Sequence, residues 1–232
     1  GDVKTVTTPV IESTTMGEML AVRARQPRLG QSLQGLTSTA ILAQVAPELE
    51  HPEGWFFPST YRFSAGQSDA DILRRAHTRL VEILNRHWDA RMPDLPYAEP
   101  VDALIMASII EKETGRADER ALIAGVFVRR LEKGMKLQTD PTVIYGIGET
   151  FDGNLRRVDL ETDTPYNTYS RPGLPPTPIA MPGEASIHAA LNPAAGDALY
   201  FVGKGDGSHA FSRTLGEHNA AVRRYQLPGG AR

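Results

Sequence analysis

Between Val101 and Gly115 the chain reads Val-Asp-Ala-Leu-Ile-Met-Ala-Ser-Ile-Ile-Glu-Lys-Glu-Thr-Gly, a run that is apolar almost all round once wound at 3.6 residues per turn. Such a helix has to be enclosed, so the rest of the chain must pack around it. Pro100 suits its first turn and Gly115 its C-terminal stop. Two carboxylates, Glu111 and Glu113, close the run. Glu113 leaves the helix on the apolar sector of Met106, Ile109 and Ile110. Apolar surroundings and the negative end of the helix dipole both hold a proton on a carboxyl, which makes Glu113 a general-acid candidate. Glu111 points about 160° away, towards Leu104 and Ala107, and is the second candidate. The alternative is two solvated carboxylates at a frayed helix end, and the helix by itself leaves both readings open.

A chain of 232 residues can bury a sizeable core as one domain with a small appendage. Its 28 acidic and 25 basic residues are well mixed, with a formal net charge of -3 and no basic run, which argues against nucleic acid as a partner. The absence of cysteine excludes thiol catalysis and disulfides. No apolar run approaches the roughly 20 residues that span a bilayer, and no signal peptide is visible. Because the chain opens inside an alternating stretch, residues 3 to 11, further residues are expected upstream, any membrane anchor among them.

Thr14 to Glu18 open a short helix expected to run through Val22, and a second lies near Ser38 to Val45. Trp55, Phe56, Phe57 and Tyr61 follow between prolines. They fit either a loop and strand that plug two layers together or an aromatic platform for sugar rings. Ser68 with Asp71 makes a capping box, and Ile72, Ala76, Leu80, Ile83, Leu84 and Trp88 continue at helical spacing. His77 and His87 fall among Arg and Asn and read as surface residues. Asp118-Glu119 opens the next helix, with Leu122, Ile123, Val126, Phe127 and Leu131 as its core stripe and Gly134 as its stop.

Beyond that point Gln138, Asp140 and Tyr145 form a short polar segment interrupted by proline, and Tyr166-Asn-Thr-Tyr169 gathers amides, hydroxyls and rings. Such groups suit a polysaccharide groove, since a sugar offers hydroxyls and an apolar face; turn chemistry is the competing explanation. Residues 186 to 191 form a short helix, 199 to 202 and 209 to 212 flank a hairpin tip at Asp206-Gly207, and Leu215 to Gln226 closes as a helix. No zinc-spaced His pair, phosphate-binding Gly-rich loop or Gly-x-Ser-x-Gly elbow is present, so neither metal nor other cofactor is expected.

Six motifs in order, Glu53 to Tyr61, Ala107 to Thr114, Leu137 to Gly146, Tyr166 to Tyr169, Gly173 to Pro176 and Leu199 to Val202, resemble the YceG-like (MltG) family of endolytic peptidoglycan transglycosylases. The resemblance runs from about Glu53 to Tyr225. It implies a partial LysM-like subdomain over residues 1–50 and a catalytic domain over 51–232. It also implies an inner-membrane anchor with the catalytic part outside the membrane, peptidoglycan glycan strands as substrate, and peptidoglycan synthases as protein partners. The implied reaction cleaves between N-acetylmuramic acid and N-acetylglucosamine without water and leaves 1,6-anhydro ends. Lytic transglycosylases of the lysozyme-like type carry Glu then Ser at the end of a buried helix. Glu113-Thr114 fits that pattern better than Glu111-Lys112, so Glu113 is expected as acid and base and Glu111 as an active-site carboxylate or orienting partner. Gln138, Asp140, Tyr145, Asn167 and Tyr169 are expected to hold the sugars. A two-carboxylate hydrolase and a non-catalytic wall-binding module are the other readings. The fold expected is α+β, with a helical half over residues 68 to 134 and a β-rich half beyond it.

Overall fold

One long helix serves two apolar clusters. The computed structural model describes residues 6–24, 29–64 and 66–226, and in chain order its elements begin with β1 (Val6–Val10), α1 (Met16–Ala24), α2 (Ser38–Val45), β2 (Ser59–Phe63) and α3 (Asp69–Asp89). The central part holds α4 (Pro100–Glu113), α5 (Arg120–Glu132), α6 (Asp140–Ile147), a 3-10 turn over Gly148–Thr150 and α7 (Arg157–Glu161). The chain closes with α8 (Glu184–Leu191), β3 (Tyr200–Gly203), β4 (His209–Ser212) and α9 (Leu215–Tyr225).

The N-terminal half of α3 puts Ile72, Leu73 and Ala76 into a cluster with Met16, Met19, Ile41, Leu42, Phe56 and Tyr61. Its next turns put Leu80, Ile83 and Leu84 against Leu104, Ile109, Phe127 and Ile187 in the larger cluster. The Ser68 capping box forms: the Asp71 N–H reaches Ser68 Oγ at 3.3 Å and the Ser68 N–H reaches Asp71 Oδ2 at 2.9 Å. This satisfies two backbone donors that a helix start otherwise leaves open.

β1 pairs antiparallel with β2, Val6 opposite Phe63 and Val10 opposite Ser59, and residues 3 to 5 of the expected strand lie outside the described residues. The pairing crosses the expected boundary at residue 50, and the N-terminal cluster crosses it too. Phe56, Phe57 and Tyr61 are buried, so the aromatic stretch is core and not a sugar platform. His77, expected at the surface, is 7% exposed; its Nε2 lies 2.7 Å from Glu48 Oε1 and its Nδ1 3.1 Å from the Trp55 carbonyl. Helical spacing placed it among polar neighbours, but the loop before β2 folds over that face.

α4 is enclosed on every side, with Ala103 to Ile110 all buried. Burial of a Leu, Met or Ile side chain contributes roughly 2 kcal/mol. Its one internal polar group is satisfied twice: Ser108 Oγ donates to the Ile105 carbonyl at 2.7 Å and accepts the Ile179 N–H at 3.0 Å, fastening the proline-rich loop to the helix. Gly125 of α5 lets the chain after α8 pass closely; a Cβ there would lie 2.5 Å from the Ala194 carbonyl oxygen. Leu122, read as part of the core stripe, is 40% exposed.

The β-rich half does not form. Past residue 134 the described residues hold α6 to α9 and one two-stranded hairpin, β3 with β4. Pro141 does not interrupt its segment but starts α6, because a proline at the first turn removes an N–H that has no helical partner. The architecture is mixed α+β, mainly helical, with two small antiparallel sheets.

Candidate active site

α4 delivers Glu113 to the wall of an open groove of about 470 Å³, bounded by α5, the start of α6, the β3–β4 hairpin and α9. That volume suits part of a polymer or a small ligand. Behind Glu113 the segment 137–139 is tied to 167–169: the Gln138 N–H donates to the Thr168 carbonyl and the Thr139 N–H to Thr168 Oγ1, each at 3.1 Å. Gln138 sits at φ +52, a left-handed turn that aims the following Thr139 back at α4. Thr142 Oγ1 donates to the Thr139 carbonyl at 2.8 Å and lies 2.9 Å from Thr168 Oγ1, closing a buried threonine cluster. The Thr139 hydroxyl donates to Glu113 Oε1.

Burial pushes the Glu113 carboxyl up to about 7; the Thr139 hydrogen bond opposes this, the negative charge of Asp140 adds to it, and the nearby His209 ring opposes it. A carboxyl with that value keeps a proton near neutral pH and can give it up, as a general acid must. Asp140, in the first turn of α6, accepts the Tyr169 hydroxyl at 2.5 Å, and burial raises the Tyr169 phenol beyond its usual range. Gln138, Asp140 and Tyr169 therefore line the groove with Glu113.

The other expected residues are elsewhere. Glu111 is 9% exposed and accepts the Gly183 N–H at 3.1 Å and the Ser186 hydroxyl at 2.6 Å, so it holds the start of α8 and does not reach the groove. A carboxylate on a helix N-terminus satisfies free N–H groups and complements the dipole. Tyr145 turns inwards: its hydroxyl donates to Glu53 Oε2 at 3.1 Å, while Glu53 Oε1 accepts the Met16 N–H at 2.9 Å. Burial pushes the Glu53 carboxyl up to about 7, too. Asn167 is fully buried; its Nδ2 donates to the carbonyls of Asp159, Leu160 and Thr162, and its Oδ1 accepts the Tyr169 N–H. It shapes the loop that presents Tyr169.

Sequence reasoning missed Arg130, Thr139, Tyr200, His209 and His218, all of which line the groove. Arg130 was hidden in a helix read for its apolar stripe. It is 7% exposed, donates to the carbonyls of Leu199 at 2.7 Å and Leu137 at 2.8 Å, reaches Gln138 Oε1 at 3.3 Å, and lies over the Tyr200 ring. His209 was absorbed into a hairpin strand. Its Nδ1 is 2.6 Å from Glu119 Oε2, and its backbone N–H donates to Glu119 Oε1 at 3.0 Å. An arginine beside a stripe of buried aliphatics was the one visible signal.

Fold and groove together define a mixed α+β protein built round a proton-holding carboxyl at the end of an enclosed helix. The chain belongs to the YceG-like family, whose sequence profile matches residues 3–224. It is 41% identical over 178 residues to a protein of Bacillus subtilis (strain 168) named endolytic murein transglycosylase, covering 76% of this chain and 49% of that protein. A protein of the same name from Streptococcus pneumoniae serotype 2 (strain D39 / NCTC 7466) is 31% identical over 156 residues, 65% of this chain and 28% of its own length. The chain thus spans about half the length of the first of these relatives and less of the second. In structure it is similar to a yceG-like protein of Listeria monocytogenes, with a TM-score of 0.75 and 33% identity over 92% of this chain and 75% of that one.

Proposed function

We propose that this chain carries the catalytic part of an endolytic murein transglycosylase, with Glu113 as both acid and base. The observation that supports it most directly is a carboxyl held near 7 in the wall of an open groove. Glu113 gives its proton to the glycosidic oxygen as the bond from the N-acetylmuramic acid C1 breaks. The resulting carboxylate then takes the proton of the C6 hydroxyl as O6 bonds to C1, so the enzyme is regenerated and a 1,6-anhydro end is formed. Gln138, Asp140 and Tyr169 are the polar groups offered to the sugar, and the Tyr200 ring supplies an apolar face. Such cuts limit glycan strand length.

The finer readings rest on the family resemblance: β1, α1 and α2 as part of a LysM-like subdomain, an inner-membrane anchor upstream of residue 1 with the groove outside the membrane, and peptidoglycan synthases as partners. The apolar side chains of that N-terminal layer pack with β2 and α3 across residue 50. No described helix is long and apolar enough to cross a membrane.

Digestion of purified glycan strands followed by product mass tests the proposal. Anhydro-ended products from the unmodified protein, and their loss in Glu113→Gln, are expected. Products heavier by one water would instead indicate a hydrolase, and binding without shortening would indicate a wall-binding module.

A further inference from the structure

His209 is built into the groove more firmly than a strand residue needs. Its side chain is 14% exposed, its ring packs edge-on against Phe201 with centroids 5.4 Å apart, and both its Nδ1 and its backbone N–H are taken by the Glu119 carboxylate. Glu119 is itself 6% exposed and lies just before α5, with Arg116 Nε 3.8 Å from its Oε1. A carboxylate at Nδ1 holds the proton there, so the neutral imidazole carries its lone pair on Nε2. Nε2 has no partner among the described residues, and the ring lines the same groove as Glu113. An acceptor fixed by a buried carboxylate and left open towards a groove is suited to a ligand that donates.

We propose that His209, fixed by Glu119, is a substrate-contacting residue of the groove whose neutral Nε2 accepts a hydrogen bond from a hydroxyl of the sugar seated over Glu113. The inference rests on the glycan reading of the groove. No proton is transferred to His209 in this role; it orients the sugar while Glu113 does the chemistry. Glu119 acts through His209 and is a positioning residue. The ionisable groups around the ring are Glu119 and Arg116 before α5, Glu113 from α4 and, across the groove, Asp140, Arg130 and His218. Of these, Glu119 alone hydrogen-bonds to the ring.

The test measures kcat and KM for glycan-strand cleavage at neutral pH in the unmodified protein, His209→Gln, His209→Ala, Glu119→Gln and Glu113→Gln. His209→Ala is expected to lose about tenfold in kcat/KM at neutral pH, the worth of one hydrogen bond. His209→Gln, which still offers an acceptor, should lose less. Glu119→Gln should resemble His209→Ala, since one amide oxygen cannot serve both the backbone N–H and the Nδ1 of His209 and the tautomer is no longer fixed. An undiminished kcat/KM in His209→Ala, or a His209→Gln as impaired as His209→Ala, overturns the inference. Should His209→Ala fail to fold by circular dichroism, the comparison of His209→Gln with His209→Leu, which cannot accept a hydrogen bond, decides. The outcomes separate the two levels: no cleavage by the unmodified protein defeats the glycan reading, continued cleavage by Glu113→Gln defeats Glu113 as its acid and base, and a dead Glu113→Gln beside an undiminished His209→Ala defeats only the role of His209.

Discussion

The hydroxyl of Thr139 donates to Oε1 of Glu113, so the residue that starts the α6 segment sets the charge state of the residue that ends α4. Asp140, the next residue, pushes the other way. Thr139→Val removes a donor that favours the carboxylate and should move the alkaline fall of cleavage to higher pH. Asp140→Asn removes a neighbouring negative charge, keeps an oxygen for Tyr169, and should move the same fall to lower pH. Opposite shifts in kcat/KM profiles are expected, and shifts of the same sign would show that another group controls the alkaline limb.

Glu113 also carries a stability cost that depends on pH. Its value is raised from an ordinary 4.5 to about 7, so the folded state holds the proton more tightly than the unfolded chain. Its stabilising contribution is complete below the ordinary value and is lost as pH rises through about 7. Glu113→Gln cannot ionise and should be the more stable form at about pH 8, by on the order of 2 kcal/mol once water in the groove is allowed for, with little difference at about pH 4. Thermal unfolding at the two pH values measures this directly. Glu53, also raised to about 7 by burial, should add a fall of the same sign that the Glu113→Gln variant retains.

Tyr145→Phe distinguishes packing from sugar binding. Its hydroxyl serves Glu53 and its ring sits 4.9 Å from that of Tyr166, away from the groove. The variant should lose about 1 kcal/mol of stability, the net worth of a hydrogen bond, and keep kcat/KM within about threefold. A hundredfold loss in a variant that melts normally would put Tyr145 back among the glycan-binding groups.

Glu111→Ala should leave the Gly183 N–H and the Ser186 hydroxyl unpaired in a buried place and cost about 2 to 3 kcal/mol. Glu111→Gln keeps one acceptor and should cost less. Cleavage per folded molecule should be nearly unchanged in both. Loss of cleavage without loss of stability would make Glu111 catalytic.

The enclosed helix, its capped neighbour α3, the hairpin and the last helix were legible because each is written locally, in a repeat of 3.6 or 2 residues with its own start and stop. The same local geometry singled out Glu113, whose apolar sector and helix-end position lie within a few turns of sequence. Local reasoning failed where contacts join distant segments. Glu111 and Tyr145 carry polar groups that fit a sugar equally well, and their hydrogen-bond partners, Ser186 and Glu53, lie 75 and 92 residues away along the chain. His77 was misread as a surface residue and Arg130 was overlooked for the same reason, since burial of a polar side chain depends on what covers it. His209 reads from sequence as one residue of a short strand. Its place beside Glu113, with Glu119 behind it, is made by packing the hairpin onto the start of α5, ninety residues away along the chain. The sequence by itself determined which helix had to be enclosed and which acid ends it; the tertiary structure decided which polar groups share that acid's groove, because hydrogen bonds between remote segments leave no period to read.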